Sequence, residues 1–156
     1  MTHLEVAFVL DGVQTRAWVE AGTTLADLLE QPVGCGEGAC GACTVVVNDV
    51  PVRSCLMLAA QADGATVRTL ASLADIEGTD SLPTPLQQQF SAHRTFQCGW
   101  CVPGMLVGTA AFLAGRHSAT EAELAEHFLG HLCRCTAGNG TIAAAVAVLA
   151  QRGTRP

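Results

Sequence analysis

The chain has 156 residues, 49% of them hydrophobic, but only five Phe, two Trp and no Tyr, so one or two small domains can form around aliphatic side chains and Ala. Its formal charge of −6, with the acidic excess inside residues 1–76 and no Lys anywhere, argues against a nucleic-acid binder, which needs clustered cations. The opening MTHLEVAFVLDG lacks a signal peptide's basic start and long apolar run, and no stretch reaches the ~18 apolar residues of a spanning helix, so a soluble, cytoplasmic protein without membrane insertion is expected.

Leu4–Leu10 and Val13–Val19 are β-prone segments joined by Asp11-Gly12, a strong hairpin signal. Thr23-Thr24 can cap a short helix, Leu25–Glu30, stopped by Pro32 and Gly34. After a Gly-rich loop, Thr44–Val47 and Val50–Arg53 form a second hairpin around Asn48-Asp49. Ser54 can cap a helix through Ala60, and Thr66–Leu70 returns as a strand. Hairpin, helix and returning strands suit a β-grasp sheet over residues 1–76. The segment EGTDSLPTP, residues 77–85, reads as a linker. Residues 86–156 are helical in pattern, with candidates at Pro85–His93, Pro103–Leu113, Thr120–Phe128 and Thr141–Ala150, enough for a four-helix bundle. Ser118 and Thr120 each have Glu three residues later, so a capping box is available. The fold class is therefore α+β.

Eight cysteines divide equally between the halves, and in a reducing compartment they point to metal or redox ligands rather than disulfides. Cys35, Cys40, Cys43 and Cys55 have the spacing C-x4-C-x2-C-x11-C, the plant-type [2Fe–2S] pattern. Two bridged irons need four thiolates converging, three from a tight loop and one from the returning chain. The loop GCGEGACGAC supplies glycines that admit positive φ and free N–H groups near the sulfurs. Zinc favours paired short spacings and needs no such loop.

Cys98, Cys101, Cys133 and Cys135 form a second set, C-x2-C-x31-C-x-C, ahead of two expected helices. The spacing leaves iron–sulfur, zinc and a redox dithiol open, although a thioredoxin-type motif belongs in a βαβ setting absent here.

Both sets in order resemble the small iron–sulfur subunit of the molybdenum hydroxylases, the xanthine dehydrogenase, aldehyde oxidase and carbon monoxide dehydrogenase family. The stretches that carry the resemblance are GCGEGACGACTVVVNDVPVRSCLMLA (34–59), QCGWCVPGM (97–105) and GHLCRCTAG (130–138). It implies an N-terminal β-grasp plant-type ferredoxin domain followed by a C-terminal four-helix bundle, each holding one [2Fe–2S] cluster. It also implies a heterotrimer: a large subunit binds molybdopterin and hydroxylates the substrate, and electrons leave through this chain to FAD, or another acceptor, in a medium subunit. Gln97 falls at the position that contacts the pterin, and Cys135 at the cluster ligand nearest to it. The substrate expected is an N-heteroaromatic or purine, an aldehyde or carbon monoxide. The chain departs from typical members in the abrupt LLEQPVGC before the first cysteine and in CRCTAGNG after the last pair. The first departure reshapes the surface where a flavin subunit would approach. The rival reading is a free-standing ferredoxin-like carrier with a zinc-stabilised helical partner-binding module.

No Ser/His/Asp arrangement, phosphate loop or paired catalytic carboxylates appear, so no catalytic residue is expected in this chain. His131, two residues before Cys133, could join a mixed His/Cys site. Arg134 and Trp100 could face a centre or a partner.

Overall fold

Two hairpins frame the N-terminal half of the computed structural model, which describes residues 3–78, 84–94, 96–114, 116, 118–135, 145 and 148. Strands β1 (His3–Leu10) and β2 (Val13–Glu20) turn at Asp11 and Gly12; β3 (Thr44–Val47) and β4 (Val50–Arg53) turn at Asn48 and Asp49. All four turn residues have φ between 47° and 83°, the left-handed geometry whose twist matches that of paired strands. Strand β5 (Thr66–Arg68) lies between the hairpins, parallel to β1 and antiparallel to β3. The order β2-β1-β5-β3-β4 is that of the expected β-grasp sheet.

The short α1 (Leu25–Leu28) is capped by Thr24, whose hydroxyl oxygen accepts the Asp27 N–H. It ends earlier than expected, and Glu30 follows at φ 50°. The expected helix from Ser54 to Ala60 is instead two 3₁₀ turns, Ser54–Leu56 and Ala59–Ala62. Leu58 is drawn into a β-bridge with Thr24, and Ser54 donates its hydroxyl to the Cys43 carbonyl instead of capping. Strand β5 stops before Leu70 because Thr69 turns to Asp11. The Asp11 carboxylate accepts from Thr69 N–H at 2.7 Å, Thr69 Oγ1 at 2.7 Å and Ser72 Oγ at 2.6 Å. Asp11→Ala is therefore expected to cost about 2 kcal/mol, the scale of charged hydrogen bonds lost together. A urea melt reads this directly, and an unchanged midpoint would remove Asp11 as a fastener.

Helix α2 (Leu73–Glu77) was not legible beside the linker-like segment; it closes on Gly78 in the left-handed region. Glu77 accepts from the Leu86 N–H, tying α2 to the start of α3 (Pro85–Ala92). Helices α4 (Val102–Leu113) and α5 (Glu121–Phe128) follow. Thr84 with Gln87, and Thr120 with Glu123, form capping boxes on α3 and α5. The expected helix Thr141–Ala150 lies outside the described residues except at Ala145 and Val148, which are helical. The molecule is thus a mixed sheet plus helices, α+β. No helix of the described residues is long and apolar enough to cross a membrane.

Strand β3 joins the halves, because TVVV is buried on both faces. Val45 and Val47 pack with Val6, Phe8, Leu25 and Val67. Val46 points the other way into a second core with Leu73, Ile76, Phe90, Met105 and Leu124. The period of two along a strand sends alternate side chains to opposite cores, which is why a doubly covered strand reads as an unbroken apolar run. Helix α2, at the end of the first half in sequence, therefore contributes to the helical core.

Candidate functional site

The first three cysteines sit in the irregular loop between α1 and β3, where Gly36, Gly38 and Gly41 take φ of 74–79°. That curl turns backbone N–H groups inward: Cys40 donates to the Cys35 sulfur at 3.3 Å and Glu37 does so at 3.5 Å. These donors, Cys40 foremost, lower the Cys35 thiol to about 7. Cys55 arrives on the first 3₁₀ turn and meets Cys43, with burial the main cause that raises its pKa. Cys98 lies in the exposed loop before α4, and Cys101 is the buried N-cap residue of that helix. Burial, then the neighbouring Cys133, pushes Cys101 up to about 12, whereas the Trp100 N–H lowers Cys98.

Cys35 lies by Cys40, Cys55 by Cys43 and Cys101 by Cys133, while the Cys98 and Cys135 sulfurs stand 3.5 Å apart. The N–H donors to Cys35 suit a sulfur that carries negative charge, as a cluster ligand does. Among the described residues, no three His, Cys, Asp or Glu side chains gather as a single metal ion requires.

The two sets adjoin. Cys35, Cys40, Cys98, Cys101, Cys133 and Cys135 line one cavity of about 250 Å³, with Trp100 at its wall. The Leu132 N–H donates to the Cys40 carbonyl at 2.9 Å, a main-chain link between residues adjacent to, or belonging to, each set. Helix α4 also closes on the first loop through Gly104. A Cβ there would stand 2.1 Å from the Gly41 oxygen and 2.5 Å from the Ala42 oxygen. Gln97 is exposed beside Cys98, and Arg134 is exposed between Cys133 and Cys135.

His131 does not join the cysteine cavity. Its ring is buried against Gly108, with Nε2 3.5 Å from Thr44 Oγ1, and packs beside His127 and Phe128. Burial, then the charge of Arg53, pushes it down to about 4, so it is neutral at ordinary pH. Sequence reasoning missed Arg53 itself. Its Nε donates to Gly38 O at 3.3 Å, Nη1 to Thr44 Oγ1 at 2.7 Å and Nη2 to Gly130 O at 2.6 Å. The only available signal was an Arg two residues before a ligand candidate.

A ferredoxin-type sheet domain and a helical segment, each bearing four cysteines, define a protein with two [2Fe–2S]-binding domains. Residues 8–71 match the 2Fe-2S iron-sulfur cluster binding domain, and residues 69–147 match the [2Fe-2S] binding domain. The nicotine 6-hydroxylase small subunit of Paenarthrobacter nicotinovorans is 39% identical over 92% of this chain and 88% of its own length. The nicotinate dehydrogenase small FeS subunit of Eubacterium barkeri is 38% identical over 87% and 88% respectively. Among solved structures, quinoline 2-oxidoreductase from Pseudomonas putida 86 superposes with a TM-score of 0.87 at 33% identity, covering 96% of both chains. The chain belongs to the [2Fe–2S] small subunits of the molybdenum hydroxylase family, and it is an oxidoreductase subunit with an electron-transfer role.

Proposed function

We propose that this chain is the electron-transfer subunit of a heterotrimeric molybdenum hydroxylase. Cys35, Cys40, Cys43 and Cys55 would hold one [2Fe–2S] centre, and Cys98, Cys101, Cys133 and Cys135 the second. The observation that carries the assignment is the gathering of Cys35, Cys40, Cys98, Cys101, Cys133 and Cys135 around one cavity, with backbone N–H groups aimed at the Cys35 sulfur. When bound, each centre takes up and returns one electron. The protein's own contribution is to supply thiolates, aim N–H groups at Cys35 and hold the two sites together through the Leu132–Cys40 link. The strands and first cysteine loop serve as the ferredoxin domain; α2 (Leu73–Glu77), which packs in the helical core, and the chain from α3 onward serve as the second domain, a four-helix bundle.

The partner on the helical side is a large molybdopterin-binding subunit. Gln97 contacts the pterin there, with Cys135 the nearest ligand; both are exposed and free to meet a partner, and an amide can donate to and accept from a heterocycle. A medium FAD-binding subunit, located beside the first centre, takes the electrons onward. Nicotine, nicotinate and quinoline in the relatives' names support an N-heteroaromatic substrate.

Purification at native expression level tests the assembly: two partner chains, molybdenum and FAD should co-purify, and a chain isolated alone would overturn it. Dithionite should produce two distinguishable paramagnetic signals. Gln97→Ala should slow substrate-driven reduction of the second centre by about tenfold, about 1.4 kcal/mol of barrier, with iron content unchanged. Stopped-flow traces identical to the parent would remove Gln97 from the pterin contact.

A further inference from the structure

Arg53 lies where both cysteine-bearing loops meet, and its donors are divided between them. Gly38, whose carbonyl accepts Nε, stands between Cys35 and Cys40; Gly130, whose carbonyl accepts Nη2, precedes the Cys133–Cys135 pair. Nη1 goes to Thr44 Oγ1, and that hydroxyl donates to the Gly41 carbonyl at 2.6 Å, again within the first loop. The seat is shaped for the guanidinium. A Cβ at Gly130 would come within 2.8 Å of Nη2, so any side chain there displaces it.

All of these partners are neutral. The ion pairs among the described residues join Arg16 to Glu5 and Arg68 to Asp49, and none includes Arg53. His127 and His131 share a cavity with Arg53 and bring no carboxylate to it. A guanidinium cannot lose its proton in a protein, so one partly buried positive charge remains at this junction. Carbonyl dipoles stabilise the cation without cancelling it. Its hydrogen bonds to Gly38 and Gly130 place that cation on both cysteine-bearing loops.

We propose that Arg53 is the shared counter-charge of the two centres, a positioning cation fixed by carbonyls from both cysteine-bearing loops that favours the reduced state of each. The inference rests on the reading that each set holds a [2Fe–2S] centre. Reduction adds one negative charge to each centre, and a nearby cation stabilises that product more than the oxidised form. A lysine keeps the charge, but as a point donor it cannot span three acceptors as a fork does.

The test is a redox titration of the purified holoenzyme, following the paramagnetic signal of each centre. Arg53→Gln should shift both midpoints downward, lowering the reduced-to-oxidised ratio of each centre about tenfold at the parent's midpoint, which is about 59 mV for a one-electron couple. Arg53→Lys should stay nearer the parent than Arg53→Gln at both centres. Pro51→Glu keeps Arg53's hydrogen bonds but adds a carboxylate in the same cavity, at an exposed position of β4. It should lower both midpoints too, and it decides the matter if Arg53→Gln fails to assemble. Parent midpoints in both neutralising variants, or a shift confined to one centre, overturn the proposal. A parent enzyme with fewer than two signals overturns the two-centre reading itself.

Discussion

Cys101→Ser is expected to lower the iron content from about four to about two atoms per chain and to abolish one of two dithionite-induced signals, sparing the other. Cys101 is the N-cap residue of α4, 8% exposed, and packs within the helical core beside Cys133. Serine offers a harder, less acidic oxygen in place of a thiolate. Because a bound metal contributes its binding free energy to folding, the helical half should also lose on the order of several kcal/mol. A melt of the isolated complex, together with iron analysis, measures both effects. Loss of both signals at once would show that the two sites do not assemble independently. A loss of zinc with iron unchanged would instead favour the zinc-stabilised module.

Gly104→Ala should be nearly as damaging, although it only adds a methyl group. That methyl meets two main-chain carbonyls, at 2.1 Å and 2.5 Å, and neither can rotate away as a side chain would. Either α4 slides off the Gly41–Ala42 segment or the loop between Cys40 and Cys43 is displaced. The expected cost is about 3 kcal/mol, at the upper end for overpacking, which lowers the melting temperature by roughly 6–12 °C in a domain of this size. Gly108→Ala meets the His131 ring at 2.7 Å, a side chain that has some freedom to move, so it should cost less. Equal melting temperatures for parent and Gly104→Ala would mean that the close approach of α4 does not matter.

The parts of this molecule that were legible in the sequence are those encoded locally. Asp11-Gly12 and Asn48-Asp49 named both hairpins because a two-residue turn with positive φ at both positions is chemically demanding. The cysteine spacings identified both sites because converging thiolates need a fixed chain geometry. Where a distant partner wins, local reading fails. SCLMLAA has helical composition, yet Leu58 pairs with Thr24 and Ser54 reaches Cys43, so the segment breaks into two turns. Helix α2 was hidden because it has no side-chain cap at its start and its stability comes from Leu73 and Ile76 packing into the helical core. Arg53 and Gly104 act across 77 residues and about 60 residues of sequence respectively, and nothing near either position announces the partner.

The junction between the cysteine sets is made chiefly of main chain: Leu132 N–H on the Cys40 carbonyl, and Gly104 against the carbonyls of Gly41 and Ala42. Away from Gly104, these backbone contacts do not depend on which side chain a neighbouring residue carries. The spacing between the centres is therefore insulated from most substitutions at the surrounding surface. Charges placed nearby can alter the driving force of transfer while the gap that an electron must cross stays the same. A subunit built this way can serve catalysts of different potential with one unchanged geometry.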